Sequence, residues 1–153
     1  MARFYALKAK MSAMNSTKIF IKEIMPRAEF AADCKGNICF GSGYALIPVH
    51  NHNMSEPYLK AWSYVLSTEI MEYQYRLIST NLHSGWFRMY KGHIEKVFLP
   101  KIDFNDEKFG GIIYAIDSNP LDSMSWQKLN IYLCKSLSID DTELSFISSY
   151  IQR

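Results

Sequence analysis

The residues that could do chemistry fall into a few groups. Phe40-Gly41-Ser42-Gly43 is a glycine turn. Such a turn can wrap a nucleotide-like cofactor when a helix follows and aims its first backbone N–H groups at the ligand. His50 and His52 are two apart, so on a strand they would offer two imidazoles to a metal from one face. Asp140 and Asp141 are adjacent carboxylates. Residues 83–91 collect His83, Ser84, Gly85, Trp86, Arg88, Tyr90 and Lys91, and Gly92 closes the stretch. Arginine can bond a guanine edge in a fork, and lysine and serine can hold phosphates. Glycine lets such a segment approach a duplex closely.

Most of these groups lack what their chemistry needs. After the glycine turn comes Tyr44-Ala45-Leu46-Ile47-Pro48, and Pro48 disfavours a helix there. Methyl transfer to adenine also calls for Asn or Asp, then Pro-Pro, then an aromatic, to hold the flipped base. The nearest match, Ser118-Asn119-Pro120-Leu121, lacks the second proline and the aromatic. Two histidines without a third ligand make a poor metal site. Gly41-Ser42-Gly43 has the wrong spacing for a nucleophile elbow. Asp140 and Asp141 suit a helix cap. No catalytic residue, metal or cofactor is therefore assigned to this chain. The 83–91 stretch keeps two readings, a DNA-facing segment and a solvated hairpin whose aromatics pack on a helix.

The 153 residues suit one domain with one core. A 48% hydrophobic and 21% charged composition reads as globular and soluble. The formal net charge of +2 permits a nucleic-acid partner without demanding one. Cys34, Cys39 and Cys134 are odd in number and fit no zinc spacing, so they read as reduced thiols in a cytoplasmic protein. No apolar run approaches membrane-spanning length, and no membrane is expected. The opening MARFYALKAK lacks an apolar signal core and reads as a start inside a larger protein.

Several elements must position these residues. TKIFIKEIM (17–25) alternates and predicts one strand, with Ile19, Ile21 and Ile24 inward and Lys18, Lys22 and Glu23 outward. AEFAA continues extended, and DCKGN is a turn. ICF and YALIPV read as two strands flanking the glycine turn. Ser55 or Glu56 caps a helix with Pro57 in its first turn. That helix runs over 57–79 on a stripe of Leu59, Trp62, Leu66, Ile70, Tyr73 and Leu77, with Lys60, Ser63, Ser67 and Glu72 largely off it. IEKVFL (94–99) reads as a strand ending at Pro100, and FGGIIYAID (109–117) as another. Asn119-Pro120 is a turn, 125–137 a helix, and 139–152 a last helix capped by Asp140 or Asp141 with Glu143 in its first turn.

The order of TKIFIKEIMPRAEFAAD, NICFGSGYALIP, YLKAWSYVLSTEIMEYQYRLIST and GWFRMYKGHIEKVFLPKI resembles the C-terminal target-recognition (specificity) domain of TaqI-like adenine-specific DNA methyltransferases. That domain also closes fused restriction-modification enzymes. The likeness covers about residues 17–102 and is most specific in the helix and in R-x-Y-K … I-E-x-V-x-L-P. SIDDTELSFISSY is similar to the acidic-capped helix that often ends these proteins, whereas 103–138 has no match. The resemblance implies an α+β fold: a small antiparallel or mixed sheet on a long central helix, with a C-terminal α/β extension. It implies a single DNA target-recognition domain over 1–153, with a core at 17–102 and an extension at 103–153. It implies double-stranded DNA and a separate N-terminal methyltransferase catalytic domain as partners. S-adenosylmethionine would be bound by that catalytic domain and not by this chain. The DNA-facing positions it suggests are Arg88, Tyr90 and Lys91, with Ser84, Gly85 and Trp86 beside them. Arg27 and the loop Asn51, His52 and Asn53 stand as further candidates. Side-chain chemistry makes Arg88 the base reader and Lys91 the phosphate contact. Two other readings stay open. The helix and aromatic hairpin could dock another restriction-modification subunit, or the chain could be a small S-adenosylmethionine-binding methyltransferase built on the glycine turn.

Overall fold

The computed structural model describes residues 4–8 (backbone only), 15–48 and 55–151. Strands β1 (Phe4–Lys8), β2 (Lys18–Ile21), β3 (Ile24–Met25), β4 (Phe30–Asp33) and β5 (Tyr44–Pro48) come first. Helices α1 (Glu56–Leu66) and α2 (Glu69–Ile78) follow, then β6 (Thr80–Asn81), β7 (Phe87–Arg88) and the short helix α3 (Lys91–Ile94). Helices α4 (Glu107–Ser118), α5 (Ser123–Leu137) and α6 (Asp141–Ile151) complete the described chain. A four-stranded antiparallel sheet has the order β1-β5-β2-β4, and a small three-stranded one the order β3-β7-β6. The fold is α+β, as expected from the sequence. One hydrophobic cluster runs from Ile19 and Ile21 through Trp62 and Tyr75 to Phe109, Ile116 and Leu129.

The expected strand over 17–25 is split at Lys22-Glu23, and its two halves join different sheets. Ile19 and Ile21 are fully buried, but Ile24 is 42% exposed and Met25 takes the inner position instead. Lys18, expected outside, is fully buried, with its Nζ 2.5 Å from Asp33 Oδ2. The Asp33 carboxylate also accepts the backbone N–H groups of Lys35, Asn37 and Ile38. Those N–H groups are thereby withdrawn from any ladder, and the expected ICF strand does not form.

The glycine turn feeds β5 rather than a helix. Gly43 has a φ of +110°, and a Cβ there would lie 2.4 Å from the Ile21 carbonyl oxygen. Only glycine lets β5 enter the sheet beside β2, where Tyr44 faces Ile21. Gly41 has open space around it.

The expected single helix over 57–79 is broken between Leu66 and Glu69. No proline or glycine causes the break; side-chain hydroxyls do. Ser67 Oγ donates to the Ser63 carbonyl (2.8 Å) and accepts the Phe30 N–H (3.0 Å), while Thr68 Oγ1 donates to the Val65 carbonyl (2.7 Å). The buried Tyr75 hydroxyl donates to the Leu66 carbonyl and re-satisfies the freed end. The stripe holds from Leu59 to Ile70, but Ser63 before the break and Glu72 after it, both placed off the stripe, are buried, and Leu77 is exposed.

The C-terminal part is helical, not α/β. Asp106 caps α4 by accepting the N–H groups of Lys108 (2.8 Å) and Phe109 (3.4 Å), and Phe109, Ile112 and Ile116 recur at helical steps on the buried side. The expected strand at 109–117 is thus a helix. It docks on α1 through Asp117, which accepts from the Tyr64 hydroxyl (2.7 Å) and from Lys60 (3.2 Å). The expected strand at 94–99 is also absent: Val97 and Leu99 pack on the core and Phe98 points out, and among the described residues the Phe98 backbone pairs with a side chain. The Gln74 amide accepts the Phe98 N–H (2.5 Å) and donates to its carbonyl (3.1 Å). In α6 the expected cap is seen, since Asp140 and Glu143 exchange reciprocal N–H bonds.

Two outcomes follow from these contacts. Gly43→Ala should lose more than about 3 kcal/mol of unfolding free energy, while Gly41→Ala stays within about 0.5 kcal/mol. Equal denaturant midpoints for the two would remove the steric account. Burial alone would raise the Asp33 pKa, but Lys18 and the N–H groups of Ile38 and Asn37 outweigh it and hold the carboxyl at about 2, below the ordinary 3.8. A depressed carboxylate stabilises the fold above its unfolded value, and that contribution is lost as pH falls from about 4 to about 2. The thermal midpoint should drop across that window, and the drop should be shallower in Asp33→Asn.

Candidate nucleic-acid interface

Residues 80–94 form a hairpin followed by one helical turn. Thr80 lies opposite Arg88 and Asn81 opposite Phe87, and the Leu82 N–H donates to the Trp86 carbonyl at 2.7 Å. Ser84 (φ 62°) and Gly85 (φ 76°) are both left-handed, which reverses the chain in the sense that matches strand twist. Phe87 is fully buried and anchors β7 in the core. On the opposite face of the small sheet Thr80, Arg88 and Ile24 stand in a row.

The hairpin is held from below by one guanidinium. Arg76 donates from Nη1 to the Gly85 carbonyl (2.9 Å), from Nη2 to the Pro26 carbonyl (2.7 Å) and from Nε to Glu72 Oε1 (2.9 Å). Its plane sits 4.9 Å from the centre of the Phe87 ring. The buried Glu72 uses Oε2 to accept the Ala28 N–H at 2.8 Å. The hairpin tip and the Pro26-Arg27 turn therefore meet on one side chain of α2.

The expected site residues fall around this mount. Ser84, Gly85, Trp86, Tyr90, Lys91 and Arg27 are all exposed, with Trp86 at 43% and Tyr90 at 40%. The shared Arg76 contacts bring Arg27 beside Gly85. Arg88 is half-buried, and both its Nε and Nη2 donate to Glu23 Oε1 (2.9 and 2.6 Å), with its guanidinium 4.9 Å from the Tyr90 ring centre. The bond to Glu23 raises the Arg88 pKa further, so the group stays charged. Nη1 of Arg88 has no partner among the described residues. The Tyr90 N–H donates to His93 Nδ1 (3.2 Å), and the two rings stack edge to face. Lys91 pairs with Glu95, at 3.5 Å between two exposed side chains, a contact of little strength. Asn51, His52 and Asn53 lie outside the described residues.

Sequence reasoning missed the groups that do the positioning: Glu23, Glu72 and Arg76. The four-residue spacing of Glu72 and Arg76 was a visible signal of an ion pair. Nothing local marked that pair as buried. Among the described residues no cluster of three or more potential metal ligands occurs, and no helix is long and apolar enough to cross a membrane. No protein-family model matches the chain, and no curated protein matches it either.

Arg76→Lys keeps a charge but loses the fork that spans two carbonyls. Hydrogen exchange should speed up at Leu82 and Ala28 together, with α5 amides unchanged. Arg76→Ala also leaves Glu72 buried without its cation and should cost about 3–5 kcal/mol. Faster exchange at only one of the two amides would show that the mount is not shared.

Proposed function

We propose that this chain is the DNA target-recognition domain of a TaqI-like adenine-specific DNA methyltransferase or a fused restriction-modification enzyme. It reads and holds the duplex and does no chemistry itself. A separate N-terminal catalytic domain binds S-adenosylmethionine and methylates the adenine. The observation that carries this reading is the clamped hairpin. Trp86, Tyr90 and Lys91 are exposed on a rigid base, and Glu23 holds the Arg88 guanidinium in place over the Tyr90 ring. A surface meant only for solvent has no need of this bracing. A pre-oriented arginine loses less freedom on bonding a base edge. In this reading Arg88 reaches a guanine through Nη1 while Glu23 fixes its other side, and Lys91 and Arg27 hold phosphates. The net charge of +2 implies weak binding by the chain alone, with affinity shared with the catalytic domain.

Fluorescence anisotropy with duplexes of varied sequence and salt tests the proposal. Arg88→Ala should cost about 1–3 kcal/mol on the preferred site and relax sequence preference there. Lys91→Ala should weaken every duplex alike and reduce the salt slope by about 1. Salt-independent binding, or equal loss on all duplexes in the Arg88 variant, would count against the assigned roles.

A further inference from the structure

Helices α4 and α5 run as a hairpin whose outer face is a trough of about 410 Å³. On α4 it is lined by Lys108, Gly111, Ile112 and Ala115, at steps of three, four and seven residues. On α5 it is lined by Ser125, Lys128, Ile131, Tyr132 and Lys135, again at steps of three and four. Each helix thus turns one complete stripe to the trough. The floor is apolar and the rim carries three lysines. No acidic side chain lines it, although Asp106 lies near one end through its bond to the Tyr132 hydroxyl.

We propose that this trough docks an acidic amphipathic helix of a partner protein. Lys108, Lys128 and Lys135 form no close ion pair among the described residues, although Asp106 and Asp122 act on Lys108 and Lys128 at longer range. Three lysines around an apolar strip, with no carboxylate in the lining itself, are complementary to a helix with an apolar stripe flanked by Glu or Asp. The glycines give a second reason. Gly110 and Gly111 lie inside α4, where each costs about 1 kcal/mol relative to alanine. A Cβ on either would meet nothing within 4 Å, and neither has a positive φ, so the chain's own packing does not require them. At Gly111 the missing side chain lets a second backbone approach closely. Nucleic acid is less well matched, since a phosphate backbone gains nothing from Ile112, Ala115 and Ile131. This docking surface is separate from the hairpin and does not depend on the DNA reading.

A phage library displaying a helix randomised on its outer positions, panned against the intact chain, tests the proposal. Selected helices should carry Glu or Asp beside a Leu or Ile stripe. Synthetic versions should lose at least about tenfold in affinity on the double variant Lys128→Glu, Lys135→Glu. Gly111→Leu should abolish binding while raising the thermal midpoint, because it fills the trough and removes a helix-interior glycine; that rise separates a blocked site from an unfolded one. Selection of basic or uncharged helices, no selection at all, or unchanged affinity on Gly111→Leu would overturn the proposal. So would a 20-base-pair duplex that shifts the amide resonances of Gly111 and Ile131, which would make the trough a DNA track instead.

Discussion

The ion pair between Glu72 and Arg76 organises the part of the molecule that carries the 80–88 hairpin. Its members sit one turn apart on α2, largely out of water, and between them they bond Ala28, Pro26 and Gly85. A buried pair is costly to form from solvated ions and gains only when its remaining donors and acceptors are satisfied. Here the guanidinium fork and both carboxylate oxygens are occupied. Remove one member and the β3–β4 turn, the hairpin tip and the helix lose their common fixed point together.

A second buried pair does the same for the larger sheet. Lys18 and Asp33 lock β2 to β4, and the carboxylate gathers the following turn around itself. Lys18 precedes Lys22-Glu23, and the Pro26 carbonyl held by Arg76 follows it, where one continuous run of sequence passes from one sheet to the other. Glu23 uses this crossing point twice. Its carbonyl accepts the Met89 N–H, and its carboxylate holds Arg88. The hairpin is therefore tied to the sheet by residues immediately beside β2.

What the sequence disclosed follows from which signals are local. Some caps and turns were legible: Ser55 at the start of α1 with Pro57 in its first turn, Asp140 and Glu143 on α6, and β5 as the strand that follows the glycine turn. The exposed members of the hairpin were legible too, as a cluster of polar and aromatic types. What failed depended on partners far away in the chain. Lys18 reads as an outward charge until Asp33 is seen to bury it, and Glu72 reads as a solvated helix residue until Ala28 and Arg76 are seen to use it. The 109–117 stretch mimics a buried strand because its apolar run is short and carries glycine; the Asp106 cap and the Phe109, Ile112, Ile116 spacing decide for helix. Phe98 alternates correctly with its neighbours, yet its pairing partner is the Gln74 amide, which no strand rule can foresee.

The Arg76 clamp grips the hairpin and the neighbouring turn by carbonyl oxygens, at Gly85 and Pro26, and not by their side chains. Every residue type supplies the same carbonyl. The exposed positions at 27, 84 and 86 can thus drift in evolution without loosening what holds them, subject only to the left-handed backbone at 84. Innovation on that surface and retention of its foundation are uncoupled, and a lineage could replace the outward-facing letters one at a time while keeping the same scaffold beneath.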